Sequence, residues 1–197
     1  MKQLNLAPFS TEEFLLSAAD WQGEGILLES SALDSAAACD RSREFIQAGI
    51  PVIIRDLAAP VTVRSIPEDS MKQQANFQRF LQERCKMISA LGIGEFSLSF
   101  NLERAAENAV FCHALRRFLG SLWGILEQYR LRLLLTAHLP SESSADAVWL
   151  AQFRQDLLYP HVGFLLELDG IEEVPSALKF YADRLLIHND SSADLLA

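Results

Sequence analysis

The sequence has little that would support a disulfide-stabilised or zinc-dependent fold. Its three cysteines are odd in number and widely spaced, and no CxxC pair is present, so neither a disulfide framework nor a zinc knuckle is predicted. Cys39, Cys85 and Cys112 all fall within helical patterns. We therefore expect reduced thiols buried in a cytoplasmic protein.

Long apolar runs and basic runs are also missing. The N-terminal residues lack the apolar core of a signal peptide, and no stretch approaches the ~20 apolar residues of a membrane span. The net charge is −9 and no long run of Lys or Arg occurs, which disfavours nucleic acid as a partner. The expected partner is a small molecule, with no nucleic acid and no membrane.

Several catalytic and nucleotide-binding motifs are absent. The sequence contains no GxGxxG, P-loop, GxSxG or HExxH pattern, so it predicts no dinucleotide or nucleotide site, serine hydrolase or zinc protease of those types. No glycine-rich phosphate loop follows an early strand. That absence favours a barrel over a doubly wound open sheet, which has the same local pattern of alternating strands and helices.

What the chain does contain is a repeated βα unit. Asp34 is predicted to cap a helix through Phe45, with Gly49 at its left-handed end, and a helix that begins at Pro67 is predicted to end at Gly92. Asn101 is predicted to cap a third helix, whose apolar face steps by four residues from Ala106 through Val110 to Leu126. Further helices are predicted after Ser10, after Ser143 or Ser144, and near Pro175. Between them lie short apolar runs, read as strands: Leu4–Ala7, Ile26–Leu28, Ile50–Ile54, Glu95–Phe100, Leu131–Leu135, Val162–Leu166 and Leu185–Ile187.

Alternating strands and helices predict parallel pairing with right-handed crossovers. With 197 residues, 50% of them hydrophobic, the chain is expected to form one domain over 1–197. A barrel of eight strands usually takes ~250 residues. The predicted fold is therefore an α/β, TIM-barrel-like fold of about seven parallel strands, incomplete or open. Its two unpaired strand edges predict a homodimer, or coverage by Leu195 and Leu196.

Polar residues close nearly every predicted strand, where the active sites of such barrels lie. They are Glu29, Arg55 with Asp56, Thr136 with His138, Glu167 with Asp169, and His188 with Asp190. Glu167 and Asp169 share one side of their strand by alternation. They could bind a cation or act as acid and base, or one could be solvated while the other caps the turn at Gly170.

The remaining polar residues also have two interpretations each. His188 and Asp190 share a side, either as partners in one site or as a hydrogen-bonded pair that stabilises the fold. Arg55 is a contact for an anionic ligand or an ion-pair partner of Glu29. His138 is a ligand or base, or an ordinary loop residue. His161 precedes its strand and is expected at the opposite, stability end of the barrel. Packing roles on helices are expected for His113, Trp21, Trp123 and Trp149.

Three passages resemble the xylose-isomerase-like TIM barrels, a superfamily of sugar isomerases, sugar-phosphate epimerases and endonuclease IV. Residues 90–96 (ALGIGEF) are similar to the helix end before its fourth strand. Residues 133–138 (LLLTAH) are similar to its fifth-strand passage, and 186–191 (LIHNDS) to its seventh-strand ending. The resemblance implies a barrel that isomerises or epimerises sugars by proton transfer next to a carbonyl.

The resemblance also implies a divalent metal (Mn, Zn, Mg or Co), although several ligand positions depart from the family pattern. Thr136 stands where the family has Glu, and a neutral hydroxyl is a poor ligand for a hard cation. Glu167 or Asp169 takes the place of the strand-six Asp. His188 is one residue closer to Asp190 than the pattern requires, and the strand-eight Glu has no counterpart. A weak metal site, or none, is therefore expected.

These features together predict a divergent sugar isomerase or epimerase that binds a small carbohydrate-like ligand. Three groups of residues follow: catalytic Glu167, His188 and Asp190; substrate-binding Glu29, Arg55 and His138; and metal-binding Asp169, Glu167 and His188. The alternative is a catalytically degenerate barrel that serves as a binding or scaffold protein. A nuclease-like relative is disfavoured by the acidity of the chain.

Overall fold

The structure is a computed structural model that describes residues 5–8, 18, 24–57, 71–100, 108–139, 159–169 and 182–188. Within these ranges the chain forms seven strands, which are β1 (Asn5–Pro8), β2 (Gly25–Glu29), β3 (Val52–Arg55), β4 (Glu95–Ser99), β5 (Arg132–Leu139), β6 (Val162–Asp169) and β7 (Arg184–His188). Every neighbouring pair is parallel, and the strands follow one another in chain order. The predicted α/β barrel of seven parallel strands is confirmed.

The barrel closes on itself. Strand β1 pairs in parallel with β7, with Asn5 opposite Leu185 and Leu6 opposite Leu186. The expectation of two unpaired edges is therefore wrong, because the first and last strands supply each other's hydrogen-bonding partners. The predicted homodimer loses the observation on which it rested.

Three α-helices lie in the described ranges: α1 (Ala36–Gln47), α2 (Met71–Ala90) and α3 (Ala109–Tyr129). None of the helices in these ranges is long and apolar enough to cross a membrane. Gly49 follows α1 at φ +80°, which confirms its predicted left-handed conformation, and Gly92 follows α2 as predicted, at φ +84°. The helices predicted after Ser10, after Ser143 or Ser144, and near Pro175 fall outside the described residues.

The start of α1 differs from its predicted start. Asp34 was expected to cap this helix, but it ends a short 3-10 helix over Ser30–Asp34. Ser35 is the cap instead, and its side chain accepts a hydrogen bond from the Ala38 amide at 3.4 Å. The two residues are adjacent and both suit the cap, so sequence alone does not distinguish them.

Alternation along the strands separates two apolar clusters. Every second strand residue packs against the helices, among them Ile26, Ile54, Phe96 and Leu135. The alternate strand residues face the inside of the barrel and form a compact cluster there: Leu27, Ile53, Leu134, Leu165 and Leu186. The interior cluster occupies the middle of the barrel, and charged residues that also face the interior lie at both of its ends.

Candidate functional site

An ion pair crosses the mouth of the barrel at the carboxyl ends of the strands. Arg55 ends β3 and Glu167 lies in β6, and these strands are not neighbours in the ring. Arg55 Nη2 donates to Glu167 Oε2 at 2.7 Å. The Glu167 side chain is 5% exposed and that of Arg55 is 26% exposed. A charge as buried as that of Glu167 needs such a partner, so the pair fixes both side chains at the mouth.

Glu29 completes a row of three charged groups. It ends β2 directly beside Arg55 in register, and its Oε1 lies 3.6 Å from Arg55 Nη1. Its side chain is 58% exposed, so water screens this interaction and it contributes little stability. Of the two interpretations of Arg55 from the sequence, the ion pair with Glu29 is present in the structure, and Glu167 is the closer partner.

Asp56 is held in an unusual backbone conformation just past β3. Its φ is +45°, a left-handed value that costs a non-glycine residue energy. Two serines of β4 oppose that cost: Ser99 Oγ donates to Asp56 Oδ1 at 2.6 Å, and Ser97 Oγ accepts from the Asp56 amide at 3.1 Å. The Asp56 carboxylate is thereby held at the end of β4.

Thr136 places a hydroxyl in the same layer. It lies in β5 between Ser99 of β4 and Leu165 of β6 in register, and it is 8% exposed. Its Oγ1 is buried and has no hydrogen-bond partner within the described part of the chain. A buried hydroxyl without a partner is costly, so this atom is available to a ligand or a bound water.

The backbone places three further predicted residues at this end. His138 stands opposite Glu167 in register, and Asp169 stands opposite His188. The side chains of these residues, and the whole of Asp190, lie outside the described parts of the structure. The register thus brings the backbone positions of β5, β6 and β7 together, and the predicted roles of these residues stay predictions.

The described groups suit a neutral, hydroxyl-rich ligand better than an anionic one. Glu29, Asp56 and Glu167 supply carboxylate acceptors, while Arg55 supplies guanidinium donors already shared with two of them. Sugar hydroxyls donate to carboxylates and accept from guanidinium and hydroxyl groups. Among the described residues of the mouth, a single cation among three carboxylates gives weak attraction for a phosphate.

The described residues do not fit the divalent metal that the fold family implies. Thr136 offers a neutral hydroxyl in place of a carboxylate, and the Glu167 oxygen nearest Arg55 is already engaged at 2.7 Å. Among the side chains that the structure describes, no three His, Cys, Asp or Glu residues are grouped to hold a metal ion. A hard cation needs several oxygen or nitrogen donors at once.

A second charged layer, which sequence reasoning missed, lies at the opposite end of the barrel. Arg184 of β7 makes a paired contact with Glu95 of β4 at 2.7 and 2.9 Å, again between strands that are not neighbours. Arg132 Nη2 donates to Asp183 Oδ1 at 2.7 Å, and the other Asp183 oxygen accepts from the Phe164 amide. The sequence does contain a signal for this layer, because Glu95, Arg132 and Arg184 each begin a strand.

This layer belongs to the stability end of the barrel. A cleft of about 280 Å³ opens beside Glu95 and Arg184, between the turns that follow α1 and α2. His161 lies at this end as predicted, before β6, with its ring 5.0 Å from that of Trp123. Active sites in such barrels form at the other end, where Arg55 and Glu167 lie.

Comparison with known proteins identifies the fold. No protein-family model matches the sequence, and no curated protein matches it. Among solved structures, a D-psicose 3-epimerase crystallised with D-fructose has a TM-score of 0.64 at 10% identity, over 95% of this chain and 84% of that one. The IolI protein with a bound zinc atom has a TM-score of 0.58 at 12% identity, over 94% and 88%.

A third structure agrees with these two. A xylose isomerase domain protein from Planctomyces limnophilus has a TM-score of 0.57 at 15% identity, covering 93% of this chain and 72% of that one. Identities this low show the fold alone. The resemblance stated from the sequence is confirmed at that level: the chain has the fold of the xylose-isomerase-like TIM barrels.

Proposed function

We propose that this xylose-isomerase-like barrel binds a small carbohydrate-like molecule at the carboxyl ends of its strands and moves a proton next to the carbonyl group of that molecule. The observation that carries the proposal is the Arg55–Glu167 pair across the mouth, at 2.7 Å. It places a buried carboxylate beside a guanidinium at the end of the barrel where such folds do chemistry. The D-psicose 3-epimerase of similar fold gives supporting context.

Glu167 is the proposed base. Its carboxylate removes the proton from the carbon next to the carbonyl, and the electrons of that C–H bond form a C=C bond while the carbonyl oxygen gains negative charge. Delivery of a proton to the opposite face of that carbon by a second acid, a role proposed for His188 or Asp190, regenerates the carbonyl group and gives epimerisation. Delivery to the former carbonyl carbon gives isomerisation, because the former carbonyl oxygen takes up a proton and the hydroxyl on the deprotonated carbon loses one. A positioned acid or base contributes typically 10²–10⁴-fold.

The other rim residues take supporting roles in this proposal. Glu29 and Arg55 orient the substrate, Thr136 offers its free hydroxyl to it, and Asp56 accepts from a sugar hydroxyl. His138 remains a proposed substrate contact, and His188 and Asp190 remain proposed catalytic partners. Asp169, Glu167 and His188 stay the proposed ligands should a metal bind. A cytoplasmic location and a homodimer also stay predictions.

Solvent exchange tests the proposal directly. The protein is incubated in D₂O with D-fructose, D-tagatose and a panel of other ketoses and aldoses, and deuterium incorporation next to the carbonyl is followed by NMR. We expect incorporation with at least one sugar. In Glu167→Gln the rate should fall by about 100-fold or more, because an amide cannot accept the proton.

The matched control is Glu44→Gln. Glu44 lies on the outside of the barrel in α1, is 54% exposed, and pairs only with Arg41 at i,i+3 in the described structure. This variant should exchange deuterium at the wild-type rate. Equal rates in wild type and Glu167→Gln, or no exchange with any sugar of the panel, would contradict the proposal.

A further inference from the structure

We propose that Arg55 is a resident cation of the barrel mouth, which occupies the Glu167 carboxylate in place of a divalent metal. The fold family implies a metal, whereas the described residues bring a guanidinium to the carboxylate that would bind it. The part of this inference that concerns a carbohydrate ligand rests on the proposed function. The part that concerns the metal depends only on the geometry of Arg55 and Glu167.

The contact between the two groups is short and largely buried. Arg55 Nη2 lies 2.7 Å from Glu167 Oε2, and the carboxylate is 5% exposed. Charge-assisted hydrogen bonds of this length are the strong ones. A metal ion bound at Glu167 would bring two positive charges next to a guanidinium in a poorly solvated site, where like charges repel most. Arg55 therefore competes with a metal by charge and by position.

The neighbouring residue also favours the guanidinium. Thr136, opposite Ser99 in register, presents a neutral hydroxyl in the layer that holds Glu167. A carboxylate at this position would add another buried negative charge beside Glu167, which favours a divalent ion over one guanidinium. With Thr136 in place, Glu167 is the buried carboxylate that the described part of this layer presents to Arg55.

Arg55 also keeps donors for a ligand. Its guanidinium carries five N–H groups and is 26% exposed, with one short contact to Glu167 and a long one of 3.6 Å to Glu29. A fixed guanidinium stabilises negative charge that develops on a ligand oxygen, as a preorganised electrostatic group does. Arg55 would thus contact the carbonyl oxygen while Glu167 contacts the proton.

Metal titration of purified protein tests the inference. The melting temperature is measured with MnCl₂ and with ZnCl₂, each from 0 to 1 mM, in wild type and in Arg55→Gln. We expect a change of less than about 1 °C in wild type. Arg55→Gln removes the guanidinium from among the carboxylates of Glu29, Asp56 and Glu167, and 1 mM metal should raise the melting temperature of this variant by about 5 °C or more if the site binds with a Kd near 10 μM.

Three variants establish the cause. The double variant Arg55→Gln/Glu167→Gln should lose the metal shift, which assigns it to this carboxylate. Arg55→Lys keeps the charge and should show no shift. Arg43→Gln removes an exposed arginine that pairs with Asp40 on α1, so it controls for loss of one positive charge and should behave as wild type.

Two results would overturn the inference. One is a stoichiometric metal in wild type whose binding is lost in Glu167→Gln, a measurement that does not require Arg55→Gln to fold. The other is a folded Arg55→Gln, by circular dichroism, that gains no metal shift. Neither depends on sugar chemistry. A protein that shows the metal pattern but no deuterium exchange would therefore refute the proposed function and leave this inference standing.

Discussion

Cys85 is the residue whose ionisation the fold changes most clearly among the described groups. It lies in α2 with no exposed surface, and burial raises the pKa of its thiol from 9.0 to about 12. A thiol in such surroundings stays protonated and unreactive. Cys39 and Cys112 are only partly buried, so the expectation of buried thiols holds fully for Cys85 alone.

The raised pKa of Cys85 predicts a loss of stability at alkaline pH. Below pH 9 the thiol is protonated in both the folded and the unfolded chain and contributes no pH dependence. Between pH 9 and about 12 the unfolded chain releases this proton while the folded chain keeps it. The free energy of unfolding should therefore fall with rising pH, by up to about 1.4 kcal/mol per pH unit from this group.

Urea unfolding at intervals from pH 8.5 to 10.5 measures this slope. Cys85→Ala should show a shallower fall than wild type, whatever its lower overall stability, because it carries no thiol at this position. Parallel slopes for Cys85→Ala and wild type would show that the thiol does not titrate differently in the folded chain.

The sequence predicted some of the residues at the barrel mouth, but it did not predict which of them form an ion pair. Glu29, Arg55 and Glu167 were identified because polar residues follow the predicted strands. Alternation along the strand also showed that Glu167 and Asp169 share one side. The Arg55–Glu167 contact was missed because it joins strands 112 positions apart in sequence. Only a closed ring places β3 and β6 across one opening, and strand order does not follow from a single sequence.

At the scale of elements, caps define where the helices begin. Asn108, and not the predicted Asn101, caps α3: its side-chain oxygen accepts from the Val110 and Phe111 amides at 3.0 and 3.1 Å. Asn101 itself lies outside the described residues. The apolar face of this helix is formed by Phe111, Leu115, Phe118, Leu119, Leu122 and Leu126. The predicted face included Val110, which is 78% exposed, because a step of exactly four residues drifts around a helix with 3.6 residues per turn.

The Asn108 cap gives a prediction for α3. Asn108→Ala leaves two amides at the helix start without their side-chain acceptor and should lower the free energy of unfolding by about 1 kcal/mol. Asn108→Asp keeps an acceptor and should stay close to wild type. Urea unfolding measures both. If the two substitutions had equal effects, hydrogen bonding at the cap would not be the cause.

At the scale of the whole molecule, the barrel interior is a stack of three layers. An apolar middle of five aliphatic side chains separates the Arg55–Glu167 pair at one end from the Glu95–Arg184 pair at the other. Strand periodicity predicted the carboxyl-end layer in outline, since it determines which residues share a face, but it did not predict the amino-end layer. It did not predict that each charged layer crosses the barrel, because that depends on ring closure through β1 and β7.

The amino-end layer leaves no room for a larger side chain at Gly163. A Cβ on this residue of β6 would lie 2.7 Å from Asp183 Oδ2 and 2.9 Å from Arg132 Nη2. These atoms cannot move apart cheaply, because Arg132 Nη2 donates to Asp183 Oδ1 at 2.7 Å and Asp183 Oδ2 accepts from the Phe164 amide at 3.0 Å. Glycine at this position therefore makes the layer possible.

Gly163→Ala should destabilise the protein by about 1–3 kcal/mol, as overpacking of a filled interior does. Gly124 is the matched control: it lies on the exposed side of α3, and a Cβ there would meet no atom within 4 Å. Gly124→Ala should stabilise the protein by about 1 kcal/mol, because alanine favours a helix interior. Urea unfolding should therefore show that the same substitution, glycine to alanine, lowers the free energy of unfolding at position 163 and raises it at position 124. A Gly163→Ala variant as stable as wild type, or more stable, would show that the amino-end layer tolerates a methyl group and is not the packed charge cluster described above.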